Sequence, residues 1–486
     1  MRWVWSRGAS LWCGAVLSGI VLSGIGTDVA VAQAIEPPAL DASAGRTWQP
    51  SSGIRDGIAA AQKHGAISGV CVIDDRGQIV YENQADRFFA PASSLKVLTA
   101  AAILRGLGPT FRFATRFEIQ GGALVVHASG DPNWITDSVH RPEVRFGEVV
   151  AELQRRGITR LRSVHLDPGP FTGPARPSTW PQNQLYAYYC APTGPFVLDQ
   201  AVFWLAIDPR GRSGRPAVRC DGPLVGPPLQ NRVQLVGKRG VSSCGAIDYG
   251  DRLLVRGKLS RGAVVTRIRT AVKDPATWYR RALLDLLARA GITVGGAGPF
   301  PQDGHVHTVT TTLPPAILRI LEESSNFDAE QCLRVLGART RRDGTLAGGL
   351  DAMREQLTAM QGQLPSGFVL ADGSGLSKNN RVSARLLARV LHDAKRRPFG
   401  VALRQALPIA GRTGTLSKRF RGTGLEGRVR AKTGWIRGSS SLSGYVDVDG
   451  RTFSFAVLMG YDPKKSGVNK HLKVAQERIV AGIAGR

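Results

Sequence analysis

Ser93 and Lys96 stand three residues apart in the run Pro91-Ala92-Ser93-Ser94-Leu95-Lys96. A serine hydroxyl is a poor nucleophile until a neighbour takes its proton, and a lysine three residues on along a helix lies one turn away on the same face. Buried near a second cation, that lysine has its proton affinity lowered enough to act as the base. A nucleophile at a helix start also has backbone N–H groups aimed at it, which favours an oxyanion. The S-x-x-K spacing alone arises by chance in most chains of this length, so other residues must decide.

Two further signals follow in order. Ser324-Ser325-Asn326 combines a hydroxyl that can relay a proton with an amide that can hold a peptide group, although Ser377-Lys378-Asn379 has the same pattern. Lys432-Thr433-Gly434 precedes an alternating strand pattern. An edge strand there offers backbone pairing to an extended peptide, Lys432 and Thr433 can hold a carboxylate, and the glycine permits close approach. Arg412-Thr413-Gly414 is a rival for that role, but a basic loop follows it rather than a strand.

Several elements must position these residues. Apolar spacing predicts helices over 53–66, 92–107, 276–290, 315–323, 328–336, 348–362, 382–395 and 472–483. Residues 69–83 read as two strands. Residues 442–448 and 452–458 read as a hairpin turning at Asp449-Gly450-Arg451. Between about 110 and 305 short alternating runs are broken by Gly, Pro and Asp clusters, which predicts a β-rich insert. Within it, 200–270 is the richest in Gly, Pro and Arg and reads as a separate lobe.

With these contexts the chain resembles the class C low-molecular-mass penicillin-binding proteins, the D-alanyl-D-alanine carboxypeptidase/endopeptidase family. The resemblance also rests on Ser129-Gly130-Asp131-Pro132, Val272-Lys273-Asp274-Pro275-Ala276, Ala371-Asp372-Gly373-Ser374-Gly375-Leu376-Ser377, Leu407-Pro408-Ile409-Ala410-Gly411 and Gly422-Thr423, and it runs from about residue 50 to the C-terminus. It implies an α/β (α+β) fold: a serine transpeptidase/β-lactamase-like domain, an antiparallel sheet with helices, interrupted by a large insert that carries a further sub-insert. The expected division is a leader over 1–34, a catalytic domain over 35–108 and 308–486, an insert over 109–199 and 271–307, and a nested sub-insert over 200–270.

By the same resemblance Ser93 is the acylated nucleophile and Lys96 its base. Ser324, Asn326 and Lys432 complete the catalytic set, with Ser324 preferred to Ser377. Thr433, Gly434 and Trp435 bind substrate, and the N–H groups of Ser93 and Trp435 form the oxyanion hole. Asp131 matches an aspartate that reaches the amino end of the peptide stem. Peptidoglycan peptides are the implied substrates and β-lactams the implied covalent inhibitors, with no cofactor and no metal. The chain departs from the family pattern at Trp435, where a small hydroxyl residue is commoner, at Ser325 in place of aspartate, and at Ser129.

The totals fit an exported enzyme. The 486 residues suffice for two or three domains, and 43% hydrophobic with 21% charged residues is an ordinary globular composition. Arg2 and Arg7, an apolar stretch from Ala9 to Ile25, and Ala30-Val31-Ala32 have the parts of a cleaved signal peptide. A net charge of +27 calls for an anionic neighbour. Export, and basic residues not interleaved with aromatics, argue for an envelope polyanion rather than nucleic acid. Five cysteines follow the leader. Cys71 and Cys332 read as buried thiols, and Cys220 with Cys244 as a candidate disulfide. His305 and His307 form an H-x-H without an evident third ligand. Trp180, Tyr186, Tyr188 and Tyr189 read as packing residues of the insert. Rival functions are a serine β-lactamase, disfavoured by the 231 residues separating Ser93 from Ser324, and a non-catalytic wall-binding protein, disfavoured by the full set of polar site residues.

Overall fold

The computed structural model describes residues 51–486 except Asp137, Arg212, Ser213, Pro223 and Arg486. The expected leader lies outside the described residues. No helix among the described residues is long and apolar enough to cross a membrane.

A five-stranded antiparallel sheet carries the framework, in the spatial order Val429–Ile436, Ser439–Val448, Arg451–Gly460, Ile67–Ile73 and Ile79–Asn83. The expected hairpin is present, with both strands longer than their alternating cores. Its turn places Asp449 (φ 48°) and Gly450 (φ 77°) in the left-handed region that a two-residue hairpin needs. Side chains alternate between two cores. Val70, Val72, Phe453, Phe455 and Val457 pack beneath the terminal helices Ser52–Gln62 and Val468–Ile483. Cys71, Ile73, Ala456 and Leu458 pack on the other face with Leu98, Ala101 and Leu387. Because both faces are covered, Ile67–Ile73 and Arg451–Gly460 read as mostly apolar runs.

The chain leaves this domain along Arg112–Gln120 and returns along Gly304–Thr312, two strands paired from Arg112↔Thr312 to Ile119↔Gly304. The insert therefore closes at Thr312, beyond the expected boundary at 307, and His305 and His307 lie within the returning strand. Its core gathers Phe117, Trp134, Phe146, Phe196 and Tyr279. The helix Pro275–Arg289 is as expected. A second, Pro142–Arg155, was hidden in a stretch that reads as β-rich, although Phe146, Val149, Val150 and Leu153 have helical spacing.

The 200–270 segment builds two three-stranded sheets: Thr266–Ala271, Val202–Asp208 and Ala217–Cys220 in one, and Leu229–Val236, Leu253–Ser260 and Ser243–Asp248 in the other. Leu205, Ile207, Val233, Leu253 and Val255 join the insert's own core, so the lobe shares that core instead of forming a separate one. Cys71, Cys190 and Cys332 are buried, while Cys220 and Cys244 stand in different sheets as free thiols. That corrects the candidate disulfide. Sequence shows the polarity of two loops, but not the distance between them.

Candidate active site

Ser93 sits in a single 3₁₀ turn, Ala92–Ser94, that feeds directly into the helix Leu95–Leu107. Ala92 holds φ 49°, an unusual conformation for alanine, at the residue before Ser93. The turn is locked on two sides. Ser94 Oγ donates to Ser441 Oγ at 2.8 Å, Ser441 Oγ donates to the Pro91 carbonyl at 2.7 Å, and Ser439 Oγ donates to the Ala90 carbonyl at 2.5 Å. A Cβ on Gly434 would lie 2.2 Å from Ser441 Oγ and 2.8 Å from the Pro91 carbonyl oxygen. The glycine of K-T-G is thus what lets the Val429–Ile436 strand press against the turn that carries Ser93.

Lys96 lies fully buried with three neighbours. Its Nζ is 3.1 Å from Ser93 Oγ, 2.7 Å from Asn326 Oδ1 and 2.6 Å from the Ser374 carbonyl oxygen. The last two can only accept, so a neutral amine gives them its two hydrogens and turns its lone pair toward the Ser93 hydroxyl. Burial pushes the ammonium down to about 8, against a weaker opposing pull from Asp372 and Glu330. Lys432 is the expected second cation, also fully buried, donating to the Thr433 carbonyl at 3.0 Å. Burial holds it well below the usual lysine range, and the charge of Lys96 lowers it further. At Lys96, then, desolvation does the work the sequence reading divided between burial and a neighbouring cation.

Asn326 opens the helix Asn326–Thr340, and its Nδ2 donates to the Tyr189 carbonyl at 2.9 Å. That bond fixes the amide so that Oδ1 faces Lys96. Ser324, at φ 63° between two helices, is half-buried, and its hydroxyl makes no hydrogen bond among the described residues. Ser377 is placed elsewhere. It is buried in the 372–380 loop, with its Oγ accepting from Asn379 N–H at 3.2 Å. Arg412-Thr413-Gly414 forms a turn, yet the adjoining Thr415 Oγ1 accepts from Thr433 Oγ1 at 2.9 Å, so the segment still borders the site.

Among the described residues, backbone hydrogen bonds cover the outer edge of Val429–Ile436 only at its start, where Ala431 N–H donates to the Pro408 carbonyl. Backbone alternation then directs the N–H groups of Thr433 and Trp435 to the same, open edge. The Trp435 indole is 51% exposed and donates to the Tyr461 hydroxyl at 3.1 Å.

Asp131 is not brought to this site. Its carboxylate is buried and accepts from Asn133 N–H at 2.9 Å, Thr311 Oγ1 at 2.8 Å and Trp134 Nε1 at 3.1 Å. Burial raises it to about 6 despite these donors. It closes an Asx turn inside the insert, where Oδ1 takes two donors of the protein and Oδ2 one, so the structure gives the buried carboxylate a packing role in place of the solvent-facing one expected for a contact with a stem amine.

A layer behind Lys96 escaped the sequence reading. Glu330 is fully buried and accepts from the N–H groups of Gly373 and Ser374 at 3.0 and 2.8 Å. Asp372 accepts from Gly375, Ser377, Asn380 Nδ2 and, at 2.9 Å, Trp180 Nε1 from the insert. Burial, then the charge of Asp372, raises Glu330 to about 8. Together they hold the loop that presents the Ser374 carbonyl to Lys96. Gly375 fits there because a Cβ would meet the Ala92 carbonyl oxygen at 1.9 Å. The available signal was Glu330 itself, an acid on a helix whose neighbours Phe327, Ala329, Cys332 and Leu333 are apolar.

Comparison with known proteins agrees with this architecture. A curated D-alanyl-D-alanine carboxypeptidase of Actinomadura sp. (strain R39) is 31% identical over 459 residues, 87% of this chain and 83% of that protein. Carboxypeptidase DacB of Mycolicibacterium smegmatis is 27% identical over 424 residues, 84% and 79% of the two chains. The crystal structure of penicillin binding protein 4 from Haemophilus influenzae superposes with a TM-score of 0.73 at 24% identity, covering 88% of this chain and 98% of that one, which shows the fold. The model of the D-Ala-D-Ala carboxypeptidase 3 (S13) family matches residues 54–477. The chain belongs to that family of serine D-Ala-D-Ala carboxypeptidases.

Proposed function

We propose that this chain is an exported enzyme that removes the terminal D-alanine of peptidoglycan stem peptides and cuts the same D-alanyl bond where it closes a cross-link. Lys432 and Thr433 hold the substrate carboxylate, and the peptide backbone lies along the open edge of Val429–Ile436. Ser93 Oγ attacks the carbonyl carbon of the penultimate D-alanine while its proton passes to Lys96 Nζ. The N–H groups of Ser93 and Trp435 receive the oxyanion. Collapse breaks the C–N bond, and the departing amine takes its proton through Lys96 or the unengaged Ser324 hydroxyl. Water then releases the acyl group from Ser93. A β-lactam follows the first half of this path, but its amine stays tethered to the acyl group.

The observation that carries the proposal is the donor pattern of Lys96, which leaves its lone pair for Ser93 alone. The carboxylates that act on Lys96 spend their oxygens on the 373–380 loop and, for Asp372, on Trp180 Nε1 as well. That arrangement favours slow deacylation of penicillins over β-lactamase turnover. The test is labelling with a fluorescent penicillin alongside release of D-alanine. Ser93→Ala abolishes both in a folded protein, and label that persists on another serine overturns the assignment.

A further inference from the structure

The Leu229–Val236, Leu253–Ser260 and Ser243–Asp248 sheet has one apolar face and one cationic face. Val233, Leu253, Val255, Leu259 and Ala246 point into the insert's core. The opposite face presents Arg232, Arg256 and Lys258, all exposed. The register sets Arg232 directly beside Arg256, and Gln234 beside Lys258. On the other flank Ser243 and Gly245 stand opposite Lys258 and Arg256, so no acid interrupts the face. Like charges side by side on one sheet face repel.

Residues 201–270 contain 13 lysines and arginines against four aspartates, and those aspartates are committed elsewhere. Asp208 pairs with Arg210, Asp221 with Arg219 and Arg267, and Asp251 with Arg252. Asp248 caps the N–H groups of Gly250 and Lys273. Among the described residues, no carboxylate pairs with Arg232, Arg256 or Lys258.

The end of this sheet supplies a second, independent feature. The first two strands are parallel, so the 237–242 and 261–265 loops that leave them emerge together. Ser260 Oγ donates to the Lys238 carbonyl at 2.7 Å, and Arg261 N–H to the Val236 carbonyl at 3.0 Å. At the tips Val241 is 69% and Val264 85% exposed. Lys238 and Arg239 share the first loop with Val241, and Arg261 the second with Val264, all three exposed. A soluble polyanion gains nothing from two bare isopropyl groups. An anionic bilayer does, because its headgroups meet the cations while its acyl boundary receives the aliphatic tips.

We propose that this end of the sub-insert docks on the surface of an anionic phospholipid membrane, through Val241 and Val264 within a collar of Lys238, Arg239 and Arg261, backed by the Arg232–Arg256–Lys258 face. This goes beyond the reaction above and does not depend on it.

The experiment uses the chain from residue 35 onward, so that the apolar leader cannot itself insert. Co-sedimentation is measured with vesicles of equal parts phosphatidylglycerol and phosphatidylethanolamine, with pure phosphatidylcholine vesicles, and with soluble polyphosphate as competitor. The protein sediments with the anionic vesicles and not with phosphatidylcholine. Arg256→Gln with Lys258→Gln lowers partitioning about fivefold per charge removed. Val241→Ser with Val264→Ser lowers it about tenfold while polyphosphate binding is retained. Penicillin acylation of Ser93 stays unchanged in every variant and reports the fold. Undiminished vesicle binding by the valine variant, or binding to polyphosphate without binding to vesicles, assigns the face to a soluble polyanion and overturns the proposal. Failure to bind either probe overturns it as well.

Discussion

The cations beside Ser93 and those on the 229–260 sheet are built by opposite means. Lys96 and Lys432 are withdrawn from water, and at Lys96 each hydrogen of the neutral amine has a named acceptor. Arg232, Arg256 and Lys258 stand in solvent, in register, with no carboxylate partner among the described residues. Burial changes a lysine's proton affinity and so makes a base near neutral pH. Exposure leaves the charge fixed and projects it outward. One chain uses basic side chains for proton transfer in one place and for attraction in another, and the difference lies in desolvation.

Removing the buried amine has the largest effect. Lys96→Ala lowers penicillin acylation by about 10³-fold or more, approaching Ser93→Ala, because residues acting as a unit lose nearly everything together. Stopped-flow or gel labelling measures it. A comparable loss from Arg256→Gln on the distant sheet would break the division between the two cation populations.

Gly434→Ala comes next. The added carbon meets Ser441 Oγ and the Pro91 carbonyl, pushing the edge strand away from the nucleophile turn. A displacement on that scale lowers the acylation rate constant about a hundredfold, while the protein still folds and keeps its membrane partitioning.

Glu330→Gln sharpens the account of Lys96. Glu330 gains its charge near pH 8, the same range in which Lys96 gives up its proton, and that charge favours the protonated lysine, so its removal lets Lys96 lose the proton earlier. The acidic limb of the acylation profile moves to lower pH by roughly half a unit. A role confined to holding the loop would lower the plateau without moving the limb.

The smallest effect on catalysis is expected at Asp131→Asn. The amide turns a donor toward Trp134 Nε1, costing about 1–3 kcal/mol of stability, seen as a lower denaturant midpoint. The ratio of kcat/KM for a stem peptide with a free amine to that for its acetylated form stays as in wild type.

Much of this arrangement was legible in the residues. The S-x-x-K spacing puts Ser93 and Lys96 on one face, and the acceptors on Asn326 and Ser374 hold the amine there at 3.1 Å from the hydroxyl. Lys432 stood out from Arg412 because only it precedes alternating apolar residues. What stayed hidden has a common physical origin. Glu330 and Trp180 act through hydrogen bonds spanning 43 and 192 residues, and long-range pairing leaves no local period in the sequence. Asp131 misled for the converse reason. An Asp-Pro turn looks the same whether its carboxylate faces solvent or, as here, Trp134 and Thr311. Exposure is decided by the strand that returns 180 residues later.

The central claim is that burial makes Lys96 a neutral base for Ser93. The most direct measurement is the second-order rate constant for acylation of Ser93 by a simple penicillin as a function of pH. Base catalysis by Lys96 requires its unprotonated form, so the rate rises with pH, is half-maximal at about 8, and reaches a plateau above. A rate that does not change across that range, or one still climbing toward the ordinary lysine value, would contradict it.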